Sequence, residues 1–168
     1  MVIGIDIDDT LVSTSESFDN IVKKYNLNFN KNFNEKFTQN EWDFICKNYL
    51  EETLKSAKLK EDAKEVLNYL DSLGHKLVII TARNNKYCKN IKEFTIELLE
   101  KENIKISEFY FGKHKKSDIA KKLNLDLMID DSEYVYNNMK RDNIDCILFG
   151  DKIKTWKEVL EYIKDKEK

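Results

Sequence analysis

Short apolar runs alternate with amphipathic stretches along most of this chain. Val2 to Ile7 is a β-branched run broken only by Gly4 and Asp6, which predicts a buried strand. In 61–73, Ala63, Val66, Leu67, Leu70 and Leu73 fall on one helical face, and Gly74 supplies a stop. Lys76 to Thr81 reads as a second strand, and Tyr87 to Lys101 as a helix through Ile91, Phe94, Leu98 and Leu99. The alternation continues with a strand at Glu108 to Phe111, a helix at Ser117 to Leu123 and a strand at Asp126 to Ile129. It closes with a helix at Glu133 to Arg141, a strand at Ile144 to Phe149 and a helix from Thr155 to Lys164. Trp156, Val159, Leu160 and Ile163 form the apolar face of that last helix, so Trp156 is expected in the core. Strands and helices at this spacing predict right-handed βαβ units. The fold class is α/β: a Rossmann-like, doubly wound parallel sheet.

One stretch breaks the rhythm. Residues 15–59 show no strand pattern and are helical, Asn-rich and aromatic, with Phe18, Tyr25, Phe29, Phe33, Phe37, Trp42, Phe44 and Tyr49. They read as a small helical cap inserted after the first strand, above the carboxyl edge of the sheet. The division is therefore 1–14 with 60–168 as the core and 15–59 as the cap. A chain of 168 residues suits one such domain and can bury a sizeable core without disulfides.

Composition narrows the function by exclusion. Lys and Arg total 29 against 31 Asp and Glu, and the net charge of -2 favours neither a nucleic-acid polymer nor an acidic membrane as partner. The three cysteines, Cys46, Cys88 and Cys146, lack metal-ligand spacing and read as reduced thiols. The opening segment carries acids where a signal peptide needs an apolar run, so the expected location is cytoplasmic.

In open parallel sheets, ligands bind beyond the carboxyl ends of the strands. The first strand here ends in Asp6-Ile7-Asp8-Asp9-Thr10 and the second in Thr81-Ala82-Arg83. Lys113, Lys115 and Lys116 follow the third, and the fourth ends in Asp130-Asp131. Carboxylates at two strand ends suit a hard cation such as Mg²⁺. The hydroxyl and the lysine suit phosphate oxygens. Arg83 reads as a surface residue, and His114, between lysines in a loop, as exposed and idle.

This order resembles the phosphatase branch of the haloacid dehalogenase superfamily: a strand then DxDxT, a strand then Thr, a Lys opening a helix, and a strand then DD. The resemblance spans the whole chain. It implies that Asp6 is the nucleophile, forming an aspartyl-phosphate, and that Asp8 protonates the leaving oxygen and then activates water. The acid role calls for an Asp8 pKa raised by the site. It further implies Mg²⁺ on the Asp6 carboxylate, the Asp8 backbone carbonyl and Asp130, with Thr81, Ala82 and Lys116 at the phosphate. Lys113 is the alternative lysine. Thr10 and Asp131 support the site, Asp131 by orienting the lysine or a metal-bound water. Asp9 stands where many relatives have Gly, at a turn that also tolerates Asp.

The small cap and the segment GKHKKSDIAKKLNLDLMIDD are most similar to the cytosolic deoxyribonucleotidases (type C 5′-nucleotidases) and their bacterial relatives. That similarity implies a nucleoside monophosphate substrate, with Phe18, Trp42 and Phe44 as candidates to hold its base. A homodimer is compatible with the sequence. Sugar-phosphate phosphatase or phosphomutase activity remains open. A phosphoacceptor receiver or a phosphate-binding protein without turnover is the non-enzyme alternative. A receiver would place its acidic pair first and its acceptor Asp later, and would lack the cap.

Overall fold

A computed structural model describes residues 1–29, 37–86 and 88–168. Five parallel strands form one sheet: β1 (Val2–Ile5), β2 (Lys76–Ile80), β3 (Glu108–Tyr110), β4 (Leu127–Asp130) and β5 (Cys146–Leu148), in the order β3-β2-β1-β4-β5. The strands lie where the apolar runs predict them, shortened at their ends. This order is that of the doubly wound dinucleotide folds and differs from the 2-1-3-4-5 arrangement of receiver modules. The chain winds outward from β1 to β3, then returns to the other side of β1. The reversal opens a crevice where the carboxyl ends of β1 and β4 lie side by side.

Side-chain alternation along each strand builds a core on both faces. Ile3, Ile5, Leu77, Ile79, Leu127 and Ile129 pack with buried residues of α3 (Ala63–Ser72), α4 (Ile91–Lys101) and α7 (Trp156–Lys166), including Leu67, Leu99 and Trp156. Val78, Ile80 and Met128 pack with Ala120 of α5 (Lys116–Leu123) and with Val135 and Met139 of α6 (Glu133–Arg141). Trp156 is fully buried, as its place on the apolar face requires. Thr155 and Glu158 form a capping box that starts α7. The helix expected from Tyr87 starts instead at Ile91. Asn84 Oδ1 takes the Lys86 N–H at 2.9 Å, a local turn that competes with helix, and Tyr87 lies outside the described residues.

The described residues between β1 and α3 form two helices, α1 (Thr14–Lys24) and α2 (Gln39–Ser56). Thr38 and Glu41 form a capping box that opens α2. Its Leu54 packs with Cys88 and Ile91, so α2 leans on the start of α4. The chain enters and leaves this segment along paired backbone: Ser13 N–H donates to Lys58 O and Lys60 N–H donates to Leu11 O, both at 2.9 Å. We propose that this neck marks the boundary between a cap at 15–59 and a core at 1–14 and 60–168. No described helix is long and apolar enough to cross a membrane.

Gly4 is where the sheet tolerates no side chain. A Cβ there would lie 2.7 Å from Leu125 Cδ2, 2.8 Å from Met128 Sδ and 3.2 Å from Ile80 Cδ1. Gly4→Ala is expected to cost about 1–3 kcal/mol by overpacking, read from the urea midpoint at unchanged m-value.

Candidate active site

β1 and β4 run in register, with Ile5 opposite Ile129, and Asp6 N–H continues the pairing by donating to Ile129 O at 3.0 Å. This places Asp6, one residue past β1, beside Asp130 at the end of β4. The first turn of α5 then brings Lys116 between them. Its ammonium donates to Asp6 Oδ1 and, at 2.7 Å, to Asp130 Oδ2. All three are nearly closed to solvent, at 5%, 1% and 5% exposure for Asp6, Asp130 and Lys116. The lysine at this centre is Lys116. Lys113 is tied through its backbone, its N–H donating to Thr81 O at 2.9 Å.

Burial pushes the Asp6 carboxyl well above the usual range, and the charges of Asp130 and Asp8 add to that, while Lys116 opposes it. Burial raises Asp130 as well, against the pull of Lys116. Asp131 is pushed up to about 6, first by burial and then by Asp130 and Asp9. For Lys116, burial lowers the pKa, but Asp6 and Asp130 outweigh it and hold the ammonium charged. One oxygen from each of Asp6, Asp130 and Asp131 lies within 4.8 Å of the others. Three carboxylates against one ammonium leave this cluster negative, and its donors are all oxygen, so the residues fit a hard divalent cation. The Asp131 carboxylate accepts from Thr10 Oγ1 at 3.4 Å, and the Lys116 ammonium donates to Asp6 and Asp130 rather than to it, which leaves the second expected role, orienting a metal-bound water.

Asp8 departs from the expectation of a raised pKa. The Arg83 guanidinium grips its carboxylate as a fork, Nε donating to Oδ2 at 3.0 Å and to Oδ1 at 3.2 Å, and Nη2 to Oδ1 at 2.7 Å. Thr14 Oγ1 donates to Oδ1 at 2.6 Å. Burial pushes Asp8 up, but Arg83 and these hydrogen bonds together hold it below the ordinary carboxylate range. Asp8 therefore rests as a carboxylate.

The acidic loop is secured from several directions. Asp9 adopts the left-handed conformation (φ 57°), and its carboxylate accepts the Ser15 N–H at 2.9 Å and the Ser15 hydroxyl. It thereby gains a hold on α1 that glycine would lack. Trp156 Nε1 donates to Thr10 O at 3.1 Å, fixing the loop from below. Thr81 is fully buried and accepts the Arg83 N–H at 3.1 Å.

Asp6, Asp8, Ala82, Lys116, Asp130 and Asp131 line one cavity of about 280 Å³, whereas Thr81, fully buried, is not part of its wall. Among the described residues, Phe18, Trp42 and Phe44 do not line it. Phe18 is buried and meets Trp42 at 5.3 Å between ring centroids, and Phe44 faces Phe29 and Tyr49. Phe33 lies outside the described residues. Among the described residues, the aromatic ring at the cavity is that of Tyr134, 62% exposed in the first turn of α6, and His114 also lines it. Sequence reasoning missed Tyr134 and set aside Arg83 and His114. All three lie near predicted site residues, Arg83 two past Thr81, Tyr134 three past Asp131 and His114 in the lysine loop, but nothing in the sequence shows which way their side chains turn.

Removing the Lys116 ammonium leaves two buried carboxylates facing each other. In chelator at pH 7, Lys116→Met is expected to cost about 3–5 kcal/mol in urea unfolding. Adding Asp130→Asn should restore part of that loss. An unchanged urea midpoint in the single variant would show that the ammonium does not hold the cluster together.

No protein-family model matches the sequence, and no curated protein matches it. Solved structures do match, over nearly their full length. A HAD-superfamily hydrolase from Ehrlichia chaffeensis shares 13% identity, with 99% of this chain and 97% of that one covered at a TM-score of 0.59. A subfamily IA HAD hydrolase from Geobacter sulfurreducens shares 10%, with 96% and 95% covered at 0.65. A predicted phosphoglycolate phosphatase from Haemophilus somnus shares 16%, with 96% and 97% covered at 0.63. The chain thus has the α/β fold of the haloacid dehalogenase superfamily hydrolases.

Proposed function

We propose that this protein is a Mg²⁺-dependent phosphomonoester hydrolase that works through an aspartyl-phosphate on Asp6. The observation that carries the reading is the buried Asp6–Lys116–Asp130 triad at the crevice between β1 and β4. Asp6, Asp130 and the Asp8 backbone carbonyl would hold the cation, with Asp131 beside them. Bound there, it would offset the repulsion between an anionic nucleophile and an anionic phosphate.

Asp6 attacks phosphorus, and the bond to the ester oxygen breaks. Because Asp8 rests as a carboxylate, the proton for that oxygen enters with the ester as its monoanion, is taken by Asp8 and passes to the leaving alkoxide. Water then attacks the phosphorus of the aspartyl-phosphate and gives its proton to Asp8, which releases it to solvent and returns to the carboxylate. The acyl–phosphate link breaks, freeing Asp6 and inorganic phosphate. Lys116 balances charge on Asp6 before attack and on the phosphoryl oxygens during it. Thr81 and the Ala82 backbone hold the phosphate.

The substrate we infer is a nucleoside monophosphate, making the enzyme a 5′-nucleotidase. The Tyr134 ring, exposed at the cavity, supports this reading by offering a face on which a base can stack. A second reading, a sugar-phosphate or other small-metabolite phosphatase, is favoured by the absence of Phe18, Trp42 and Phe44 from the cavity wall. Thermotoga maritima and Haemophilus somnus proteins of this fold carry the names β-phosphoglucomutase and phosphoglycolate phosphatase.

Phosphate release from a panel of nucleoside monophosphates and sugar phosphates tests both readings. Chelator and Asp6→Asn should each abolish release, since an amide does not attack phosphorus. Turnover persisting in Asp6→Asn overturns the mechanism. Tyr134→Ala should raise KM for nucleotides about tenfold while sparing small aryl phosphates. Equal effects on both ester classes would remove the base-stacking reading.

A further inference from the structure

Arg83 has no assignment in the chemistry above, yet its side chain is only 3% exposed, while that of its partner Asp8 is 37% exposed. The guanidinium is anchored independently of Asp8: Nη1 donates to Thr95 Oγ1 at 2.9 Å, and that hydroxyl donates to Ile91 O at 2.7 Å within α4. Its backbone is tied on both sides. The N–H goes to Thr81 Oγ1, and the carbonyl accepts the Gly112 N–H at 2.8 Å. A rigidly mounted fork therefore faces a half-open carboxylate.

The carboxylate is held asymmetrically. Oδ1 accepts from Thr14 Oγ1, Arg83 Nη2 and Arg83 Nε, whereas Oδ2, among the described residues, meets only Arg83 Nε. Oδ2 thus keeps a lone pair free for a proton. Stability alone does not account for this arrangement, because a buried ion pair is commonly no more stabilising than apolar side chains of equal volume. Orientation does account for it: two parallel N–H donors fix the plane of a carboxylate, which a point charge such as Lys would leave free to turn.

We propose that Arg83 is a positioning residue that sets the plane of the Asp8 carboxylate, so that Oδ2 exchanges protons with the leaving oxygen and then with water. This rests on the phosphohydrolase reading and goes beyond it, because the DxDxT, Thr, Lys and DD motifs include no arginine. Arg83 touches neither phosphate nor cation in this assignment and acts only through Asp8.

The test compares Arg83→Gln and Arg83→Lys with the parent on p-nitrophenyl phosphate, whose leaving group needs no proton, and on an alkyl ester such as AMP. For Arg83→Gln, kcat on the alkyl ester is expected to fall about 100-fold and on the aryl ester less than about 10-fold, with KM for both nearly unchanged. In an Asp8→Asn background the same substitution should cost less than about threefold, since the group it positions is gone. Arg83→Lys keeps the charge and loses the fork, so it should show the same split at about 10-fold. It also carries the test if Arg83→Gln does not fold. Equal losses on both esters, a rise in KM on both, or full additivity with Asp8→Asn overturns the proposal. Turnover of neither ester by the parent overturns the phosphohydrolase reading itself, an outcome distinct from a parent that works and variants that show no split.

Discussion

A lysine ammonium held between two buried carboxylates is the constraint around which this molecule is arranged. None of the three charges is tolerable alone in so closed a place, since an unpaired buried ion costs several kcal/mol. Together they hold only if residues 6, 116 and 130 meet, and the sheet provides for that. Parallel pairing of β1 with β4 brings two strand ends level, and α5 begins one turn from both. The apolar layers on either face exclude water from the meeting point. They also make each carboxylate's ionisation depend on its neighbours rather than on the solvent.

β1, β2 and β4 were legible because each is covered on both faces, so each appears as a short apolar run with a polar residue at its carboxyl end. The place of Lys116 at the head of a helix, and its spacing to Asp130, marked it in the sequence, and the structure puts it between Asp6 and Asp130. Arg83 was not so marked. Its partners come from 75 residues earlier in the chain and from the middle of α4, and nothing adjacent in sequence marks an arginine that turns inward. The raised Asp8 pKa that the resemblance implied takes no account of Arg83 and Thr14, whose hydrogen bonds hold that carboxyl low against burial.

The cap aromatics show the complementary limit. Phe18, Trp42 and Phe44 sit in a segment that needs a core of its own. Phe18 and Trp42 pack against each other, and Phe44 joins an aromatic group with Phe29 and Tyr49. Their abundance measured the demands of a small helical unit rather than the taste of the cavity. Tyr134 carried no such signal, being one of two tyrosines, with Tyr136, in a short polar helix. Only the geometry places it at the mouth.

The paired neck at Leu11–Ser13 and Lys58–Lys60 bears on more than where one unit ends. A segment whose two ends emerge side by side imposes almost no closure demand on what it interrupts, so its length and content can change while the sheet beneath keeps its register. The groups at the strand ends and the helices above them are thus free to diverge separately over time. Under the proposed function, a single catalytic floor can be roofed in different ways, each admitting a different ester to the same aspartate.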